Sequence, residues 1–165
     1  MVTVQVSDGT MEIAKEICDM SKLMKEMMSE GDDNDIIPLP NVKQETMIKV
    51  VEWCNYHQSH PLPEVQKPIA SPDVKVVLKD FPWDAEFINI DDQETVFNLV
   101  LAANYLDIEP LLDLGCMRIA CWLKNKKPEE VRSFFNITQP SPEEEERIRK
   151  EKFVHFEHFL ISEKN

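Results

Sequence analysis

The residues of this chain whose types and spacing come nearest to a chemical site are Cys54, His57 and His60, with two residues in each gap. Thiolate and imidazole are both zinc ligands, but a tetrahedral zinc site needs a fourth ligand. No second ligand pair follows at a spacing typical of such sites. We therefore predict no metal here and interpret Cys54 as a core residue near a helix end. A small metallo-hydrolase built on these three residues is the alternative, and stoichiometric zinc in elemental analysis would favour it.

The cysteines do not fit a nucleophilic role, because a reactive thiolate needs a nearby base and an electropositive setting. The chain instead carries a formal net charge of −13, and each cysteine stands in an apolar stretch. With only three glycines in the chain, a phosphate-binding loop is also disfavoured. We predict no catalytic residue and no cofactor. We interpret all four cysteines as reduced core thiols of an intracellular protein: Cys18, Cys54, Cys116 and Cys121.

Length and composition favour one globular domain with an appendage. The chain has 165 residues, of which 42% are hydrophobic and 30% are charged. Its acidic balance argues against nucleic acid and anionic membranes as partners, and favours basic protein surfaces. No run reaches the roughly 18 apolar residues of a membrane span, and we expect no secretory signal.

The first 58 residues predict a mixture of strands and helices. Alternating residues in TVQVSDGTMEI predict a hairpin with Asp8 and Gly9 in its turn. Ser21 is expected to cap a methionine-rich helix, and Pro38 and Pro40 suit an edge strand. The stretch at 29–35 is expected to be an acidic loop.

Capping patterns predict where the longer helices begin. Asn41 with Gln44 predicts one helix start, and Asp91 with Glu94 predicts another. Their expected core stripes are Met47, Val50, Val51 and Cys54 in the first helix, and Val96, Phe97, Val100 and Leu101 in the second. Later helices are expected to begin at Pro110, Pro128 and Pro142, the last of them capped by Ser141 with Glu144.

The helix predicted from Pro110 to about Asn125 is apolar on nearly every side. A surface helix normally devotes about 100° or a little more of its circumference to an apolar stripe. The remaining apolar surface must be covered by later helices of the chain or by another protein. In the helix before it, Asn104 and Tyr105 interrupt the apolar pattern, and tyrosine is enriched at protein interfaces.

Several ordered segments of the sequence resemble the Skp-type adaptor, the S-phase kinase-associated protein family that supplies the linker subunit of Skp–cullin–F-box ubiquitin ligases. The resemblance covers about residues 3–152 and is densest over 83–137. It is carried by IPLPNV, VVEWCNYH, WDAEF, DQETVFNLVLAANYLDI, LLDLGC, KKPEEVRSFFNI and SPEEEERIRKEK.

The resemblance implies an α+β BTB/POZ-like fold, a small sheet covered by helices, with a C-terminal helical extension. The corresponding division is 1–58 for the N-terminal part of the BTB/POZ-like domain, 59–80 for a flexible linker loop, 81–109 for the remainder, and 110–165 for a helical F-box-binding region. It also implies a non-catalytic adaptor of the cytoplasm and nucleus that bridges a cullin N-terminal domain to F-box proteins. Without an F-box partner, we expect weak self-association through the exposed face.

By matching position, the resemblance implies cullin binding by Asn104 and Tyr105. It places a candidate modification at Pro142. It implies F-box binding by Leu112, Cys116, Ile119, Ala120, Leu123, Val131, Phe135, Ile148 and Phe153.

The chain departs from the family in three places. FVHFEHF stands where the family has a Trp-Cys tail, and the loop at 59–73 is proline-rich and lightly charged, so we expect that loop to matter little. KNKKPEE replaces a glycine-containing turn, which Asn125 can form because asparagine tolerates the left-handed region. A divergent paralogue working outside cullin ligases and an elongin C-like adaptor are the alternatives, and the helices after Pro128 count against the latter.

Overall fold

The computed structural model describes residues 1–30, 36–138, 141–144, 146–148 and 150. The chain divides into two compact units, Met1–Asn125 and Lys126–Asn165. Residues 29 and 30, predicted to begin the acidic loop, are instead the last residues of a helix, and residues 31–35 of that loop lie outside the described residues.

The first unit contains a three-stranded sheet in the order β2-β1-β3. Strands β1 (Val2–Val6) and β2 (Gly9–Ile13) form the predicted antiparallel hairpin, and β3 (Ile37–Leu39) runs parallel to β1. The predicted edge position of the proline-containing strand is confirmed. The turn is one residue from its predicted place, because Gly9 pairs with Val6 and the connection is therefore Ser7 and Asp8.

The described part of this unit also has seven helices, two between β2 and β3 and five after β3, which cover the sheet and form most of the core. They are α1 (Lys15–Cys18), α2 (Lys22–Glu30), α3 (Gln44–His57), α4 (Val74–Val77), α5 (Pro82–Ile88), α6 (Gln93–Tyr105) and α7 (Glu109–Leu123). Within the described part of the chain, no helix has the length and apolar composition of a membrane span.

The predicted start of α3 is wrong. Asn41 does not cap this helix; the residue before its first turn is Lys43, which makes no side-chain cap. Instead, the backbone N–H of Gln44 donates to the Asp8 carboxylate at 2.7 Å. The hairpin turn thus caps a helix that lies 36 residues further along the chain, where a carboxylate also meets the positive end of the helix dipole. The predicted stripe is buried at Met47, Val50 and Cys54 and half-buried at Val51.

The start and the buried face of α6 also differ from the prediction. Asp92, rather than Asp91, accepts from the backbone N–H of Thr95 at 2.8 Å. The fully buried residues are Val96, Leu99, Ala102 and Ala103. Phe97 and Val100 are only half-buried, and Leu101 is 64% exposed. The buried face of α6 is therefore rotated relative to the predicted stripe and shares only Val96 with it.

The second unit begins with α8 (Pro128–Phe134), as predicted from its proline. The backbone N–H of Lys127 donates to Glu130 Oε2 at 2.7 Å. The predicted capping box of the next segment is confirmed, because Ser141 N–H donates to Glu144 Oε2 at 3.0 Å and Glu144 N–H donates to Ser141 Oγ at 3.3 Å. Asn125, between the two units in sequence, has the predicted left-handed conformation, with φ 67°.

A buried polar triad joins α3 to α5. Asp84 Oδ1 accepts from Trp53 Nε1 at 3.1 Å and lies 3.0 Å from His57 Nε2. Trp53 is fully buried, and the side chains of His57 and Asp84 are 0% and 2% exposed. One carboxylate oxygen therefore satisfies two buried ring nitrogens.

We expect Asp84→Ala to lower the free energy of unfolding by about 3 kcal/mol, because it leaves buried partners without an acceptor. Urea unfolding measures this change. Asp80→Ala is the matched control, since Asp80 is an exposed aspartate just before α5. Equal midpoints for the two variants would contradict a stabilising role for the triad.

Candidate protein-interaction surfaces

Helix α7 has two apolar faces. Its buried face holds Leu111, Leu114, Gly115, Met117, Arg118 and Cys121. The opposite face is an outward stripe, which we define as Leu112, Cys116, Ile119, Ala120 and Leu123. Cys116 is exposed in this stripe and the other four residues are half-buried. All five are among the residues that the family resemblance implies for F-box binding, and the structure brings them together on one side of one helix.

Contacts on the inward face of α7 fix the orientation of this helix. A Cβ atom on Gly115 would lie 2.5 Å from Val100 Cγ2 of α6, so only glycine permits this close helix approach. Arg118 donates from Nη2 and Nε to the Ile90 carbonyl at 2.8 and 3.1 Å, which ties α7 to the segment between α5 and α6. Its guanidinium also lies 4.6 Å from the Trp122 ring centroid. These contacts hold the outward stripe at a fixed angle to α6.

The prediction that all four cysteines are core thiols is wrong for Cys116, which is exposed; Cys18, Cys54 and Cys121 are buried. Burial raises the pKa of Cys54 to about 12. Partial burial also raises the pKa of Cys116, and Asp113 adds to this. A raised pKa keeps a thiol protonated at neutral pH, which is the reverse of what nucleophilic catalysis needs.

The residues considered for zinc have other partners. His57 is engaged by Asp84, and its Nδ1 faces the His60 carbonyl at 3.4 Å. His60 Nδ1 in turn lies 2.8 Å from the Tyr56 carbonyl. Within the described residues, no group of three or more His, Cys, Asp or Glu side chains is placed to hold a metal ion.

A second outward surface lies at the end of α6. Leu101, Asn104 and Tyr105 are spaced to share one helix face; Leu101 and Asn104 are exposed, whereas Tyr105 is half-buried and packs against the core. The sequence prediction placed Leu101 in the core and therefore missed its exposure. Because Leu101 lies three residues before Asn104, the helical spacing could have indicated that both residues belong to this surface.

The turn after Tyr105 is held from both sides by the start of α2. Ser21 is fully buried, and its hydroxyl donates to the Leu106 carbonyl while accepting from the backbone N–H of Met24 at 3.1 Å. The second bond confirms the predicted cap.

Lys22 Nζ lies 3.4 Å from Asp107 Oδ1 and 2.9 Å from Glu109 Oε1. Hydrogen bonds to Glu109 and Asp107 raise the pKa of Lys22. Asp107 itself has φ 52°, a left-handed conformation that aspartate tolerates.

The second unit carries apolar side chains of its own at the surface. Val131 is half-buried, whereas Phe135 and Ile148 are 40% and 43% exposed. Phe135 meets Phe134 edge to face, with ring centroids 5.0 Å apart. Pro142 is exposed in the first turn after Ser141. Phe153, the last residue implied for F-box binding, lies outside the described residues.

These features define the class of protein. A small three-stranded sheet covered by helices is an α+β fold of the BTB/POZ-like kind, and its outward apolar faces are suited to binding other proteins. The chain matches the Skp1 family tetramerisation domain over residues 1–59 and the Skp1 family dimerisation domain over residues 109–154.

Comparison with individual proteins agrees with these matches. The chain is 43% identical to the S-phase kinase-associated protein 1 homolog of Tetrahymena thermophila, over 85% of this chain and 84% of that protein. It is 44% identical to the SCF ubiquitin ligase complex protein SKP1a of Dictyostelium discoideum, over 92% and 93%. It is 40% identical to the E3 ubiquitin ligase complex SCF subunit sconC of Arthroderma otae, over 91% of each chain. The chain belongs to the Skp1 family.

We expect Ser21→Ala to lower the free energy of unfolding by about 2–3 kcal/mol, because it removes a helix cap and leaves the Leu106 carbonyl without its partner. Ser29→Ala is the matched control. Ser29 belongs to the same helix, but its hydroxyl is exposed and donates only to Glu26 within that helix, at 2.7 Å. Thermal or urea unfolding compares the two variants, and similar losses of stability would contradict the structural role of Ser21.

Proposed function

We propose that this chain is a non-catalytic adaptor of a Skp–cullin–F-box ubiquitin ligase, which joins a cullin N-terminal domain to F-box substrate receptors for protein degradation. The observation that carries the proposal is that one chain of this family has two separate outward surfaces. The outward stripe of α7 would take the F-box, and the end of α6 would take the cullin. The names of the relatives, which describe SCF ubiquitin ligase subunits, support the assignment to such a complex.

The chemistry of the two surfaces supports a division of labour. The outward stripe is apolar over about three helical turns, so burial of apolar area would supply most of the F-box affinity. The α6 surface combines Leu101 with the amide of Asn104 and the ring of Tyr105. The polar groups would fix the position of the bound partner, and the apolar groups would add contact area. On the second unit, Val131, Phe135, Ile148 and Phe153 are proposed as further F-box contacts.

A binding experiment with two separate arms tests the proposal. The full-length chain is immobilised and offered a purified cullin N-terminal domain in one arm and an F-box segment in the other. We expect binding in both arms. Binding of the F-box alone would favour a divergent paralogue that works outside cullin ligases, and binding of neither would overturn the adaptor role.

Two variants separate the surfaces. We expect Tyr105→Ala to weaken cullin binding by about 10- to 100-fold and leave the F-box arm unchanged. Leu123→Asp places a charge in the outward stripe, and we expect it to weaken F-box binding by more than about 100-fold while the cullin arm is unchanged. Titration calorimetry measures both affinities.

Ile36→Asp is the control for the inserted charge, because Ile36 is 54% exposed just before β3 and belongs to neither surface. It should leave both affinities unchanged. If either interface variant lost binding in both arms, circular dichroism would show whether it is still folded. A folded variant that bound neither the cullin nor the F-box segment would contradict the division into two faces.

Self-association follows from the same outward stripe. Without an F-box partner, we expect the chain to form dimers weakly at high concentration, and an excess of F-box segment to dissociate them. Sedimentation velocity over a concentration series measures this. A strict monomer at every concentration would contradict the expectation.

The remaining parts of the proposal concern location and modification. We propose that the protein works in the cytoplasm and nucleus. We also propose Pro142 as a candidate site of hydroxylation and glycosylation, the modifications that some protist relatives carry on the equivalent proline, since it is exposed beside the Ser141–Glu144 capping box. An unmodified proline in the first turn of the helix is the alternative. Mass spectrometry of the protein from its own cells tests the second point.

A further inference from the structure

The proline-rich residues 59–73 are the part of the predicted linker region 59–80 that precedes α4; they are called the linker loop from here on and lie alongside α7. The linker loop contains no regular secondary structure, yet Val65 and Ile69 pack against the core and Pro63 is buried. Segments of this kind are usually treated as spacers between structured parts. The contacts of this one with α7 indicate a different role.

Two side chains of α7, and that of Lys124 directly after it, attach to the linker loop. Asp113 Oδ1 lies 2.9 Å from Lys67 Nζ, and Lys124 Nζ donates to the Ile69 carbonyl at 2.7 Å. Cys121 Sγ lies 3.6 Å from the Ser71 carbonyl. From Asp113 to Lys124 the helix rises by about 16 Å, so the attachments extend along most of its length.

The attached side of α7 borders the outward stripe. Asp113 directly follows Leu112 and lies three residues before Cys116, while Lys124 directly follows Leu123 and lies four residues after Ala120. Residues three or four apart are neighbours on a helix surface. On the other side of the stripe, α7 approaches α6 at Gly115 and Val100. The outward stripe is therefore bounded by α6 on one side and by the linker loop on the other.

The charges around the Cys116 thiol agree with this placement of the loop. After the dominant effect of burial, the charges that act on the Cys116 thiol are Asp113, which raises its pKa, and Lys67 of the loop, which lowers it. The geometry agrees, because the Lys67 ammonium is paired with Asp113, which lies three residues before Cys116 on the same helix. The Lys67 side chain is 66% exposed, so it is accessible to a molecule seated there.

We propose that residues 65–71 of the linker loop form one wall of the F-box-binding surface and contact the bound F-box segment. This inference rests on the proposed function, because it assigns a further element to the same surface. It also replaces the expectation that the loop matters little. The loop would influence which F-box segments fit, since a wall restricts the occupant more than an open helix face does.

The first test is charge reversal at the attachment. We expect Lys67→Glu, which faces Asp113, to displace the loop and weaken F-box binding about tenfold, with cullin binding unchanged. Adding Asp113→Lys should restore most of the affinity, because the pair is re-formed with its charges exchanged. Lys75→Glu is the matched control: Lys75 is equally exposed, at 65%, and is paired with Glu86 on α5, away from the stripe.

The outcomes distinguish the inference from the function beneath it. If the unmodified chain does not bind an F-box segment, the proposed function fails. If the unmodified chain binds and the F-box affinity of Lys67→Glu is within twofold of its affinity, the proposal that residues 65–71 form a wall is overturned. Lys67→Met, which removes the charge without reversing it, serves in its place if the reversed variant does not fold.

Hydrogen exchange provides the second test and needs no substitution. On addition of the F-box segment to the full-length chain, we expect slower amide exchange over residues 65–71 as well as along α7. Unchanged exchange in the loop, with protection along α7, would overturn the wall while leaving F-box binding intact.

Discussion

The structure depends on one packing constraint, the close contact of α6 and α7 at Gly115. Helix α7 is apolar around most of its circumference, but a chain of this size can bury only one side of it. A glycine at the crossing removes the side chain that would otherwise keep the helices apart, and Arg118 fixes the rotation of α7 by binding the Ile90 carbonyl. Once that rotation is fixed, the choice of which apolar residues face outward follows from helix geometry alone.

The sequence predicts most of the elements because their signals are local. The hairpin, the cap at Ser21, the helix starts at Pro110 and Pro128 and the box of Ser141 with Glu144 all rest on residues a few positions apart. The family and its BTB/POZ-like fold could likewise be recognised from ordered motifs. The apolar pattern alone predicts only a surplus of apolar residues on α7, whereas the family resemblance also indicates the five residues that the structure places in the outward stripe.

What sequence reasoning missed was non-local or decided by small differences. The cap of α3 comes from Asp8, and no pattern within the helix indicates it. The start of α6 turned on a choice between two adjacent aspartates, Asp91 and Asp92. Its buried face could be composed from several overlapping apolar sets, and the set that is buried contains two alanines that the pattern did not favour. Cys116 was expected in the core because cysteine usually is, and its exposure follows from the rotation of α7.

Charge and apolar surface act on different length scales in this molecule. A net charge of −13 makes two copies repel at distances up to about a Debye length, roughly 8 Å at physiological ionic strength. Contact between two outward stripes becomes favourable only when water is excluded from between them. Self-association therefore has to overcome the repulsion first, whereas a basic partner is attracted before contact. On the proposed function, the same stripe would therefore bind its partner more firmly than it binds another copy of itself. In the proposed wall, Lys67 would act at short range, on the fit of the partner more than on its approach.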